Sequence, residues 1–250
     1  MLHGYTAGAW MFAEKAMPYF AGRGWHCFAV DLRGHGRSGG QQTVRTARYA
    51  DYLEDVAHAV EHVTATTGRT PILVGHSLGS VLARETASTH NVPALVLAGF
   101  GDLKLGMKGF MGWMMRNFPF RTVGGMMTGR SSRMWSRFEP QYRTLFKGQP
   151  RNAVAPWVGR FQAQAESDKV FMDLMGHEIP SHPKETRAYV IAGNRDPVAS
   201  PKALNALASA LNVTPVVVEG AAHDLFLGAH AETALSRISE WLDSVDWSPS

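Results

Sequence analysis

Gly75-His76-Ser77-Leu78-Gly79 constrains this chain more than any other stretch, because of what flanks it. The apolar run Thr70 to Val74 precedes it and reads as a strand, and a helix-forming segment from Val81 to Thr89 follows. A strand that turns straight into a helix leaves no room for side chains beside the turn. A Cβ there would strike the neighbouring strand or helix, and glycine is the residue without one. Two glycines around a serine in this context predict a hydroxyl raised at the end of a strand. The pentapeptide alone also describes a plain surface turn, so the downstream sequence decides.

A serine hydroxyl is a weak nucleophile at neutral pH and needs a base, which in turn needs an acid to hold its tautomer. Arg187 to Ala192 reads as a strand running into Gly193-Asn194-Arg195-Asp196-Pro197, a turn that presents the Asp196 carboxylate. Thr214 to Val218 reads as the next strand, followed by the small-residue loop Glu219-Gly220-Ala221-Ala222-His223-Asp224. The candidates therefore come in the order Ser77, Asp196, His223. Asp102 also follows a strand, Ala94 to Ala98, and is the alternative acid. His76 adjoins Ser77, but adjacent side chains on a tight turn point apart, so it reads as pocket lining or packing. His35 sits in a Gly-rich loop and reads as structural. His58 and His62 lie one helical turn apart without a third ligand, so they read as a solvated face rather than a metal site.

That order, with each residue just after a strand, resembles the α/β-hydrolase superfamily, in its serine esterase, lipase-like and lysophospholipase-like members. Asp31-Leu32-Arg33-Gly34-His35-Gly36-Arg37-Ser38 is similar to the loop after the fold's fourth strand, and His3-Gly4-Tyr5-Thr6 is similar to its oxyanion loop. The resemblance implies a mostly parallel sheet flanked by helices with a helical cap insertion. It implies Ser77 as nucleophile, His223 as base and Asp196 as orienting acid, with the Tyr5 and Leu78 backbone N–H groups as oxyanion donors. It implies no metal and no organic cofactor. Relatives that carry Asp at the elbow, the haloalkane dehalogenases and epoxide hydrolases, are excluded by Ser77.

The remaining sequence agrees with one large α/β core: 250 residues, 45% of them hydrophobic. The sole cysteine, Cys27, falls in a predicted strand from His26 to Val30 and reads as a small buried hydrophobe. No apolar run approaches the ~18 residues of a membrane span, and no signal core opens the chain, so a cytoplasmic location is expected. Helices are predicted over Ala13 to Ala21, Arg48 to Thr66, Pro201 to Leu211 and Ala231 to Val245. In the second, Tyr49, Tyr52, Leu53, Val56, Val60 and Val63 recur at helical spacing. Trp247 to Ser250 reads as a loose tail.

An insertion divides the core into 1–101 and 187–250, with 102–186 as the helical cap. From Asp102 to Arg160 it carries eleven Lys or Arg against Asp102 and Glu139, a +9 segment on a −5 remainder. It also holds seven of the twelve methionines, with Phe110, Trp113, Phe118, Phe120, Trp135 and Phe138. Pliable thioethers suit a small hydrophobic ester substrate, and the charge suits an anionic substrate or a transient contact with a membrane or lipid surface. Packing of the cap on the body accounts for the same residues. Nucleic acid is not expected, since no recognition motif accompanies the charge.

One departure stands out. The resemblance places His3-Gly4 at the end of a central third strand, yet only Met1 and Leu2 precede it, and the two strands before that are missing as well. Neighbours of an absent buried strand would lose backbone partners at about 1–3 kcal/mol each. The expectation is therefore an N-terminally incomplete sequence, or a short form that is inactive or has its sheet completed by another chain. The functional expectation is a serine hydrolase of carboxylic esters. The alternatives are a perhydrolase, carbon–carbon bond hydrolase or amidase on the same fold, or a non-catalytic ligand-binding homologue.

Overall fold

The computed structural model describes residues 1–180 and 186–247. Four parallel strands form the sheet in the order of the chain: β1 (Leu73–His76), β2 (Ala94–Ala98), β3 (Arg187–Gly193) and β4 (Val216–Val218). A parallel strand covered on both faces must be apolar on both, and β2, Ala94-Leu95-Val96-Leu97-Ala98, is buried throughout. Its side chains alternate between two cores. Leu95 and Leu97 join Leu73, Leu82, Val190 and Leu204, whereas Val96 and Ala98 join Phe12, Ile191, Phe226 and Ile238.

Helices α1 (Trp10–Ala13), α2 (Ala16–Ala21), α3 (Tyr49–Thr67) and α4 (Leu78–Thr86) belong to the first half of the chain. Between β2 and β3 lie α5 (Leu103–Asn117), α6 (Pro119–Thr128), α7 (Ser131–Trp135), α8 (Phe138–Leu145), α9 (Arg151–Ala163) and α10 (Asp168–Leu174). After β3 come α11 (Pro201–Ala210) and α12 (Ala231–Ser244). The predicted apolar stripe of α3 is the buried one at Tyr49, Tyr52, Val56, Val60 and Val63, with Leu53 packed at its margin. The single helix expected over Ala13 to Ala21 is two short ones, interrupted at Glu14 and Lys15, where Lys15 Nζ donates to the Gly228 carbonyl. The end of the proposed cap segment, 181–185, and the last three residues of the proposed tail lie outside the described residues.

The strand expected over His26 to Val30 is replaced by one bridge residue. Leu2 bridges Val30 on one flank and Gly75 on the other, both in parallel sense. Leu2 N–H donates to Val74 O, His76 N–H to Leu2 O and Val30 N–H to Met1 O, so Met1 and Leu2 occupy the position of a strand between residues 28–30 and β1. Beneath them an open groove of about 910 Å³ separates Trp25–Phe28 from Thr70–Val74. Without a ladder partner, Thr70 to Ile72 do not join β1, which starts at Leu73 where β2 lies alongside. For the same reason Cys27 is half-buried at the groove rather than enclosed in the core.

The sheet's gradient of burial gives a direct test. Leu97→Ala, in the fully buried β2, is expected to cost about 2–5 kcal/mol in guanidinium unfolding, whereas Val217→Ala, 46% exposed on β4, stays within about 0.5 kcal/mol.

Candidate active site

β1 ends at His76 and α4 begins at Leu78, so the whole reversal falls on Ser77, held at φ 55° and ψ −117°. A non-glycine residue with positive φ persists only where its surroundings fix it. Here they do. A Cβ on Gly75 would lie 2.3 Å from Gly79 O, and one on Gly79 would lie 2.1 Å from Leu2 O. Strand, helix and the Leu2 segment therefore meet backbone to backbone, and Ser77 N–H donates to Ala98 O across the sheet. Ser77 lines an apolar cavity of about 120 Å³.

Asp196 lies in the turn after β3. Its Oδ1 accepts from Val198 and Ala199 N–H at 2.7 and 3.1 Å, and its Oδ2 accepts from His223 Nδ1 at 2.8 Å. Because a carboxylate only accepts, Nδ1 of His223 carries the proton of this hydrogen bond. Asp196 and His223 are both buried, and His223 lines the same cavity as Ser77, Leu78 and Tyr5. The five residues singled out in the sequence thus come together, four of them on the cavity wall and Asp196 behind His223. Asp102, the alternative acid, instead caps α5 by accepting from Leu105 N–H. His76 donates from Nε2 to the His223 carbonyl. His58 and His62 are exposed on α3, and no cluster suited to a metal ion occurs among the described residues.

The inserted helices grip this site. His223 N–H donates to Thr144 O and Asp224 N–H to Leu145 O, so the end of α8 holds the histidine loop. Trp135 Nε1 donates to Thr6 Oγ1. Gly4 lies against Ser77, and Leu32 N–H donates to His3 Nε2, which leaves the His3 Nδ1–H to donate to Gly4 O at 2.9 Å.

Behind that loop sits a buried ion pair that the sequence did not disclose. Glu166 Oε2 accepts from Thr6 N–H at 3.0 Å and from His35 Nε2 at 3.1 Å, while Oε1 accepts from Tyr52 Oη and Ser167 N–H at 2.6 and 2.8 Å. His35 Nδ1 donates to Arg33 O, so both ring nitrogens are donors and the ring is a cation. Burial alone would discharge both partners, but their contact overrides it: the His35 pKa is raised and that of Glu166 lowered. Thr6, at φ 57°, is pinned by this carboxylate. Nothing in the local sequence marks Glu166, because its partners lie at positions 6, 35 and 52. His35, read as structural, has this definite task.

The histidines beside the site are neutral. Burial, then the nearby His35 charge, pushes the His3 pKa down to about 4, and burial, then His223, pushes His76 down to about 3.

These observations place the chain by class. Its sequence matches the profile of the alpha/beta hydrolase family over residues 1–236, and the chain belongs to that family. Structural likeness agrees. A thermostable carboxyl esterase from Bacillus coagulans is 17% identical with a TM-score of 0.66, covering 98% of this chain and 88% of that one. A monoacylglycerol lipase from Paleococcus ferrophilus is 20% identical with a TM-score of 0.61, covering 97% and 92%. A thermophilic esterase from Thermogutta terrifontis is 19% identical with a TM-score of 0.65, covering 97% and 88%. A search of curated proteins gives no match.

Two measurements test the electrostatics. Glu166→Ala leaves the His35 cation buried without its partner, and a loss of about 3–5 kcal/mol in guanidinium unfolding is expected. His3 and His76 have folded-state pKa values below the ordinary 6.5, so between that pH and about 4 the unfolded chain binds protons that the folded chain refuses. Stability should fall with falling pH across this window by about 1.4 kcal/mol per pH unit for each histidine. Asp224, raised to about 6 by burial, opposes the fall below pH 6. Unfolding midpoints measured from about pH 7 down to about pH 4 should decline, and less steeply in His3→Gln.

Proposed function

We propose that this protein is a serine hydrolase that cleaves carboxylic esters of hydrophobic, lipid-like substrates through an acyl-enzyme. The observation that carries the reading is the His223 imidazole, fixed by Asp196 at 2.8 Å, on the wall of an apolar cavity that it shares with Ser77. Ser77 Oγ attacks the ester carbonyl carbon while His223 Nε2 takes the hydroxyl proton. Asp196 stabilises the imidazolium, and the proton passes to the leaving alkoxide as the ester C–O bond breaks. Water then repeats the sequence in reverse roles, releasing the acid.

The oxyanion is assigned to the N–H groups of Leu78 and Tyr5. Leu78 opens α4, where helix N–H groups lack intrahelical partners. In a trans peptide the carbonyl and N–H point opposite ways, so His3, by holding Gly4 O, sets the direction of Tyr5 N–H. The helices α5 to α10 act as a cap, and Met107, Phe110, Met114 and Met134 on the cavity wall favour an apolar acyl group. The chemistry calls for neither metal nor organic cofactor.

Fluorophosphonate labelling with peptide mapping tests the assignment. Modification at Ser77 is expected, with turnover of a p-nitrophenyl ester falling roughly 10⁴-fold or more in Ser77→Ala. An unlabelled Ser77 in folded protein would refute it. An amide, a peroxyacid-forming assay and a β-diketone beside the ester series separate hydrolysis of esters from the other reactions this machinery supports.

A further inference from the structure

The helix α6 turns its apolar side outward. Phe120, Val123 and Met127 recur at i, i+3 and i+7 and are 92%, 43% and 83% exposed, with Met126 at 60% and Met115 of α5 at 39% beside them. A globular protein normally leaves such side chains scattered; a contiguous group on one helix marks a contact surface. The inner side of α6 is small and closed. Thr122 and Gly125 are buried, and a Cβ on Gly125 would lie 2.4 Å from Met134 Cγ. Met134 also lines the cavity that holds Ser77, so the exposed helix rests directly on the cavity wall.

The charge around this patch says what covers it. Arg116, Arg130, Arg133 and Arg137 are exposed and enter no salt bridge among the described residues. Arg121, whose Nη2 donates to Arg133 O, has its pKa lowered by burial and then by the like charge of Arg137. Two copies meeting through this face would oppose one +9 segment to another. An anionic surface has the complementary charge, and a sheet of lipid accepts Phe and Met side chains to the depth of its acyl boundary.

We infer that α6 and the adjoining end of α5 form a docking surface for an anionic lipid bilayer, with Phe120, Val123, Met126 and Met127 inserted and the surrounding arginines on the headgroups. The patch borders the cavity, so docking brings the cap against the phase in which an apolar ester would reside. The inference stands on surface apolarity and charge, independently of the esterase reading.

The test is co-sedimentation of the full chain with vesicles of phosphatidylcholine, with and without phosphatidylglycerol, at low and high salt. Binding to the anionic vesicles that weakens as salt rises is expected, with Ser77→Ala binding as tightly as the unmodified protein. Phe120→Ser with Met127→Ser, and separately Arg116→Gln with Arg133→Gln, should each weaken partitioning by about tenfold or more. Because these side chains are exposed, thermal unfolding and turnover of a soluble short-chain ester should stay unchanged and serve as controls. Absence of binding to anionic vesicles, equal binding to neutral ones, or undiminished binding by both double variants would overturn the inference. So would a dimer in solution that Phe120→Ser dissolves, since a second copy would then be the occupant. Should one double variant fail to fold, the other and the salt dependence of the unmodified protein still decide.

Discussion

Backbone contact without intervening side chains at Gly75, Gly79 and Leu2 is the constraint on which the rest of this site depends. With no Cβ at either glycine, β1 and α4 close to within direct backbone contact, and the residue between them is forced to positive φ. Three consequences follow from one steric fact. Ser77 is raised at the strand end, Leu78 N–H becomes the first of a helix, and Gly4 is brought beside Ser77. The same contact gives Leu2 its bridges to both flanks, so the elbow also anchors the short N-terminal segment above the groove.

Around that fixed point, segments distant in the chain are held by charge. Glu166 collects four donors, three of them from separate places in the chain, and the His35 cation is balanced where neither could stand alone. Its hydrogen bond to Thr6 ties the segment before α10 to the loop beside Ser77, while Thr144 and Leu145 at the end of α8 hold the loop of His223. Both sides of the cavity are thereby attached to the inserted helices. The helices between β2 and β3 line the site as well as holding its loops.

How much of this was legible depended on whether a feature is local. Strand β2 was read at its observed limits and α3 to within a residue, because burial on one face or both writes itself into consecutive residues. The relation of Ser77, Asp196 and His223 was legible for the same reason: each follows its own strand, and parallel strands bring their carboxyl ends to one edge. The His26 to Val30 strand failed because a strand needs a partner as well as propensity, and among the described residues its ladder contact is the bridge from Val30 to Leu2. Glu166 was invisible because a lone acid gives no sign of what it will meet.

The sequence by itself determined the class of fold, the sharp turn at Ser77 and the basic, methionine-rich character of the segment between β2 and β3, since these rest on glycine sterics, strand apolarity and composition. Tertiary structure alone decided which carboxylate neutralises His35, and which of the apolar side chains line the cavity or face outward on α6. Those outcomes are set by distances between residues tens to more than a hundred positions apart, and pair energies that vary with distance and burial are not encoded in any local pattern.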